Sequence, residues 1–251
     1  QNNIFQREIG RMCSASTGNC YRVVDSVDPE VSISMVHRQL FTGEDENPET
    51  EVILIPPSES DKFDSSDTRF WSVAHRRITT GYASVVLCLP FVMGPIPLVE
   101  AETRQRSPYQ VLTIGLGGGT LDMFWASMQR SMNITVVELD EAVVKVAERW
   151  FGVREVSTQV REYGNERRTI IGDGVEYVKK EKQRGVLYDV IVIDACDVDA
   201  RRPCPVGKFL TEEMMGALSS ITTHEGIAIF NVLPEGKFSE ENNDIVNEVK
   251  T

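Results

Sequence analysis

The chain has 251 residues, 41% of them hydrophobic and 25% charged, enough to bury a genuine core without metal or disulfide support. Thirty-eight acidic against 26 basic side chains leave a formal net charge of −12, which argues against a duplex-binding face and suits a cationic substrate or a basic protein partner. No stretch reaches the roughly 20 apolar residues that span a bilayer, since the most apolar run, Ala83 to Pro97, is short and holds three prolines.

The first part of the chain reads as β-rich. Glu8 to Ser26 predicts a hairpin around the turn-forming Ser16-Thr17-Gly18-Asn19. Val31 to Phe41 and Glu51 to Ile55 predict further strands, with polar, acidic connections at 42–50 and 56–68. The stretch from Glu44 to Asp67 carries nine acids against one lysine and reads as a solvated loop. From Phe70 to about Val86 the spacing of Trp71, His75, Ile78 and Tyr82 predicts a helix with those four on one stripe, ended by Pro90.

Beyond Tyr109 the pattern changes. Strands are expected at Val111–Ile114, Ile134–Val137, Thr169–Ile171, Val186–Ile193 and Ile227–Leu233, separated by helices at Thr120–Arg130, Glu141–Trp150, Val175–Gln183 and Leu210–Ile221. Apolar strands alternating with helices imply right-handed crossovers and an open parallel sheet of the Rossmann-like α/β class. The expected division is a β-rich region over 1–68, a helix and connection over 69–108, and a nucleotide-binding domain over 109–251. The chain opens on Gln1 rather than Met and ends in an acidic segment where further strands are expected, so it reads as a truncated piece of a larger protein.

Ligands of such a sheet lie beyond the carboxyl ends of its strands. Gly115, Gly117, Gly118 and Gly119 follow the first strand, where small residues let a ligand approach the backbone. Glu138 ends the second strand, placed to accept hydrogen bonds from both ribose hydroxyls. Asp173-Gly174 follows the third, placed near an adenine amino group. Asp194 and Asp197 follow the fourth. A nicotinamide dinucleotide fits less well, because Thr120 stands where G-x-G-x-x-G requires its third glycine. An adenosyl sulfonium fits better.

The strings TIGLGGGTLDMF (113–124), VVELDEAVVKVAERWFG (136–152), IIGDGVEYV (170–178) and YDVIVIDACDVD (188–199) resemble the spermidine-synthase-like branch of class I S-adenosylmethionine-dependent methyltransferases. Within it they are most similar to the C-terminal domain of the dual methyltransferases that act on translation elongation factor 1-alpha. The resemblance implies a class I methyltransferase sheet, S-adenosylmethionine as cofactor and a protein amine as acceptor. Polyamine synthases of the branch carry G-G-G-D-G-G. Here Thr120-Leu121-Asp122 follows the glycines, so the counter-charge for an aminopropyl amine is missing and bulk stands where space is left. Asp194-Ala-Cys-Asp197 is nonetheless similar to the synthases' D-x-x-D, whose first Asp serves as base. Methyl transfer is therefore the leading expectation, with aminopropyl transfer and an inactive binding scaffold as alternatives.

Asp194, then Asp197, are the candidate catalytic acids, since an amine must lose a proton before it attacks. His75 reads as a packing residue, Trp71 and Tyr82 as core, Arg201-Arg202 as a solvated pair, and Cys196 as no nucleophile. Five cysteines without a CxxC pair and three histidines without zinc spacing predict a reducing, cytoplasmic setting and no metal. The expected partners are a basic protein or protein N-terminus as substrate and a second copy of the chain in a homodimer, with no nucleic acid and no membrane.

Overall fold

The computed structural model describes residues 5–28, 35–98, 107–160, 163–196 and 204–233. Alternating side chains in the first part build an antiparallel sheet of five strands in the order of the chain: β1 (Phe5–Cys13), β2 (Cys20–Val27), β3 (Val36–Thr42), β4 (Thr50–Ile55) and β5 (Ser72–Val73). The predicted hairpin is present, with Cys13 and Cys20 opposite one another and the turn between them. Those two cysteines form a disulfide, as do Cys196 and Cys204, and Cys88 is free. The sequence reading named neither pair.

The helix expected over Phe70–Val86 is also corrected. Ser72 and Val73 pair with Ile55 and Leu54 as an edge strand, His75 and Arg76 form a turn, and α1 begins only at Gly81 and runs to Val92. The four-residue spacing was coincidental, because cross-strand pairing gives the segment an extended path that local periodicity cannot override. Trp71 is buried in a cluster with Val27, Val36, Leu54 and Phe63, whereas Tyr82 is exposed. Pro90 lies inside α1 rather than ending it.

The second part is the expected α/β sheet. Its elements are β6 (Tyr109–Ile114), α2 (Thr120–Ala126), β7 (Met132–Glu138), α3 (Glu141–Trp150), β8 (Val156–Val160), β9 (Tyr163–Ile171), α4 (Gly174–Arg184), β10 (Tyr188–Ile193), α5 (Glu212–Ile221) and β11 (Thr222–Phe230). The strand order is β11-β10-β6-β7-β9-β8, parallel except for β8 against β9. The chain leaves β6 toward β7 and β9 and returns to its other side at β10, so the switch point lies between β6 and β10. The antiparallel β8 is not foreseen by the sequence reading, and β9 is longer than the three residues expected. The central strands are closed to solvent on both faces, as their unbroken Val and Ile runs require: Ile191, Val192 and Ile193 are all fully buried.

The two sheets share a core through α3. Asp140 caps that helix by accepting the Ala142 N–H at 2.9 Å, and it also accepts the hydroxyls of Thr17 and Tyr21 from the hairpin, each at 2.9 Å. At the other end, the carbonyl of Trp150 accepts a 2.6 Å bond from Arg38 Nη1. Gly10 occupies an irregular position in β1 and seats the Trp150 ring, which a Cβ there would meet at 2.2 Å.

Candidate active site at the switch point of the parallel sheet

Gly115 follows β6 with φ +101°, a backbone conformation that favours glycine. A Cβ there would lie 2.4 Å from the carbonyl oxygen of Asp194. The absence of a side chain therefore lets the ends of β6 and β10 touch, and the Asp194 N–H donates to the Ile114 carbonyl at 2.8 Å. Gly118 is constrained from the other side. Its N–H donates to Thr50 Oγ1 at 2.9 Å, and an added Cβ would strike Thr50 and Phe151. The first residue of β4 thus rests on the glycine loop, a contact that no local sequence signal announces.

Glu138 sits where expected, at the end of β7, and holds this loop in shape. Oε2 accepts the Leu116 N–H and Oε1 accepts the Asp140 N–H, both at 2.9 Å. Burial pushes its carboxyl up while these backbone donors pull it down. Each oxygen retains a second lone pair, so the pair of acceptors that a ribose diol needs is still present. Asp173 is exposed and caps α4 through Oδ1, which accepts from Val175 at 2.7 Å and Glu176 at 3.3 Å. Gly174 has a packing reason: a Cβ would lie 2.4 Å from Ile114 Cγ2.

Asp194 sits where expected, just beyond the end of β10. Its Oδ1 accepts a 2.8 Å bond from Asn231 Nδ2, one residue beyond β11. Burial pushes the carboxyl up to about 6, opposed by the Asn231 bond and assisted by the charge of Glu49. Glu49 itself precedes Thr50, is held by the Thr42 hydroxyl at 2.5 Å, and is raised mainly by its surroundings although it remains accessible. The hydroxyl of Tyr82, at the surface near the start of α1, is pushed up by its protein surroundings first and then by the charges of Asp194 and Glu49. Glu49, Thr50, Tyr82 and Asn231 are the residues that sequence reasoning missed. Asn231 was findable as a polar residue ending a fifth apolar strand, but the others come from a different sheet or helix.

Other expected residues lie elsewhere. Asp197, Arg201 and Arg202 are outside the described residues. His75 packs over Gly152, whose added Cβ would meet its Nε2 at 3.2 Å. Burial and the nearby Arg154 and Arg167 push the imidazole down to about 4, consistent with a neutral packing residue. Leu121 and Asp122 are both buried, and Asp122 accepts a 2.7 Å bond from Arg167 Nε in the core beneath α2.

The arrangement offers backbone and a diol acceptor for an adenosine, and a carboxylate for an amine. Residues 93–250 match the spermine/spermidine synthase domain. The human eEF1A lysine and N-terminal methyltransferase is 31% identical over 150 residues, 57% of this chain and 20% of that protein. The polyamine aminopropyltransferase of Vibrio vulnificus is 27% identical over 132 residues, 53% of this chain and 38% of that protein. This chain spans about a fifth of the length of the eEF1A methyltransferases it matches. A solved structure of a probable spermidine synthase from Corynebacterium glutamicum aligns over 85% of this chain and 60% of that one, at 14% identity and a TM-score of 0.51, a likeness of fold. The match covers more than half of the chain, and the chain belongs to the spermine/spermidine synthase domain family.

Proposed function

We propose that the chain is an S-adenosylmethionine-dependent methyltransferase whose acceptor is an amine of a protein. The observation that carries this reading is Asp194, a carboxylate beside the glycine loop that is oriented by Asn231 and raised by burial. The relatives named as methyltransferases of eEF1A support a protein acceptor. S-adenosylmethionine, when bound, supplies a methyl carbon already activated by its sulfonium. Gly115 and Gly117 open the backbone to it, Glu138 offers acceptors for the ribose hydroxyls, and Asp173 retains Oδ2 for an adenine amino group. Asp194 takes the proton of the incoming ammonium, which frees the nitrogen lone pair for in-line attack. The charge of Glu49 also acts on Asp194 and favours a cationic acceptor.

Aminopropyl transfer is the second reading, favoured by the relative named as a polyamine aminopropyltransferase and by the charge of Glu49 acting on Asp194. Incubation with S-adenosylmethionine, its decarboxylated form, short polyamines and a cell extract, followed by mass spectrometry, separates the two. The expected product is methylated protein, and a polyamine product would overturn the choice.

The titration of Asp194 gives a signed expectation. The carboxylate must be ionised to take a proton, and it is raised to about 6 from 3.8. kcat/KM for the amine should rise with pH through about 6, as the carboxylate ionises, and level off while the acceptor is still an ammonium. Asp194→Asn should abolish that limb and reduce turnover at least a hundredfold, with binding of S-adenosylhomocysteine changed far less. Equal loss of both would place Asp194 on the donor instead. The stability effect runs the other way. A carboxyl with a raised folded pKa contributes most below 3.8, and its contribution is lost as pH rises through about 6.

A further inference from the structure

The disulfide between Cys196 and Cys204 lies two residues from Asp194, and nothing in the proposed chemistry uses it. It closes a ring around the acceptor side. From Asp194 the chain passes through Ala195 to Cys196 and across the bridge to Cys204. The Cys204 carbonyl accepts the Leu233 N–H at 3.1 Å, and two residues before Leu233, Asn231 returns to Asp194. A second tie, Val206 N–H to the Ala195 carbonyl at 2.9 Å, runs alongside the bridge. Among the described residues this ring is held, apart from the sulfur–sulfur bond, by single hydrogen bonds at the open ends of β10 and β11, and the Asn231 N–H also donates to the Ile193 carbonyl at 2.9 Å. Cys204 is 3% exposed, whereas Cys196 is exposed. One cysteine is buried in the protein and the other lies at its surface.

We propose that Cys196–Cys204 is a redox site of this protein: the oxidised form fixes the Asp194–Asn231 pair for the acceptor, and reduction by a dithiol releases it. The inference rests on the reading of Asp194 as the acceptor carboxylate. In the reductive step a thiolate of the dithiol attacks Cys196 Sγ, the S–S bond breaks, and Cys204 leaves as a thiolate that takes up a proton. The second thiol of the reagent then attacks the mixed disulfide and releases Cys196. Two cysteine thiols form, and the dithiol is oxidised to its disulfide. The donor side should be insensitive, because Glu138 and the Leu116 N–H lie across the switch point and share no bond with the ring.

The test uses the full chain with dithiothreitol as reductant. Alkylation of the native, unreduced protein should label Cys88 and leave Cys196 and Cys204 unlabelled; label on either would overturn the proposal. On reduction, amide exchange at Val206 and Leu233 should accelerate at least tenfold, with Gly172, which donates to the Glu138 carbonyl, unchanged. Methyl transfer to an amine acceptor should fall at least tenfold while S-adenosylhomocysteine affinity stays within threefold. A Cys196→Ser/Cys204→Ser variant, which retains the hairpin bridge, should behave as the reduced form and ignore dithiothreitol. Unchanged exchange at Val206 and Leu233, or a variant that still responds to the reductant, would refute the crosslink's role. Failure of S-adenosylhomocysteine to bind either form would instead refute the donor reading, and the exchange result would stand by itself.

Discussion

Arg38→Ala should lower the unfolding free energy by about 3–5 kcal/mol, the largest loss expected from one substitution outside the site. Arg38 and Asp25 face each other across β2 and β3, 1% and 0% exposed, joined by two parallel bonds of 2.8 Å. The remaining donors reach the carbonyls of Trp150 at 2.6 Å and Thr68 at 2.7 Å. One guanidinium therefore fastens the antiparallel sheet to the end of α3 and to the segment that leads into β5. Truncation would leave a buried carboxylate and two buried carbonyls without partners, and those penalties add to the lost packing. Denaturant unfolding followed by tryptophan fluorescence measures the loss. A change below about 1 kcal/mol would show that water or a local shift satisfies Asp25. Asp25→Leu/Arg38→Met should recover part of the loss, since it removes the orphaned charge as well as its partner, though not the helix-end contact.

The same residue shows where sequence reading reaches its limit. Arg38 sits in a strand found by its alternation, yet its partners lie 13, 30 and 112 residues away. The parallel sheet was legible because strands buried on both faces leave apolar runs, and because each helix between them carries its own start signal, such as Asp140 before α3 and Asp173 before α4. The placement of Gly115, Glu138 and Asp173 at strand ends was legible for the same reason, since the order of the strands is fixed by chirality. The surroundings of Asp194 were only half legible. Asp194 follows a strand, but Thr50 rests on the glycine loop from another sheet, and the charge of Glu49 acts from beside it. Tyr82 was assigned to a core because its spacing suggested a helical stripe, and that stripe dissolved once Ser72 and Val73 paired with β4. The cysteines failed for a related reason. Counting and local spacing say nothing of which strand ends meet, and Cys13 and Cys20 are brought together by hairpin register.

The sharpest expectation for the donor side concerns Glu138. Glu138→Ala should weaken S-adenosylhomocysteine binding by roughly 2–3 kcal/mol, on the order of 30- to 150-fold. Two effects act in the same direction. The ribose loses its paired acceptor, at least one bond of which is charge-assisted. The glycine loop also loses the bond that holds the Leu116 N–H, so its backbone is less preorganised for the ligand. Glu138→Gln separates them: its single amide oxygen can still accept from Leu116 or from the ribose, but its amide nitrogen opposes the Asp140 N–H. Its affinity should fall between the two, with a smaller loss of stability than alanine. Calorimetry with S-adenosylhomocysteine, paired with denaturation of each variant, reads both quantities. Unchanged affinity in Glu138→Ala would put the ribose elsewhere. An affinity loss with an unchanged binding enthalpy would make Glu138 a brace for the loop rather than a contact of the ribose.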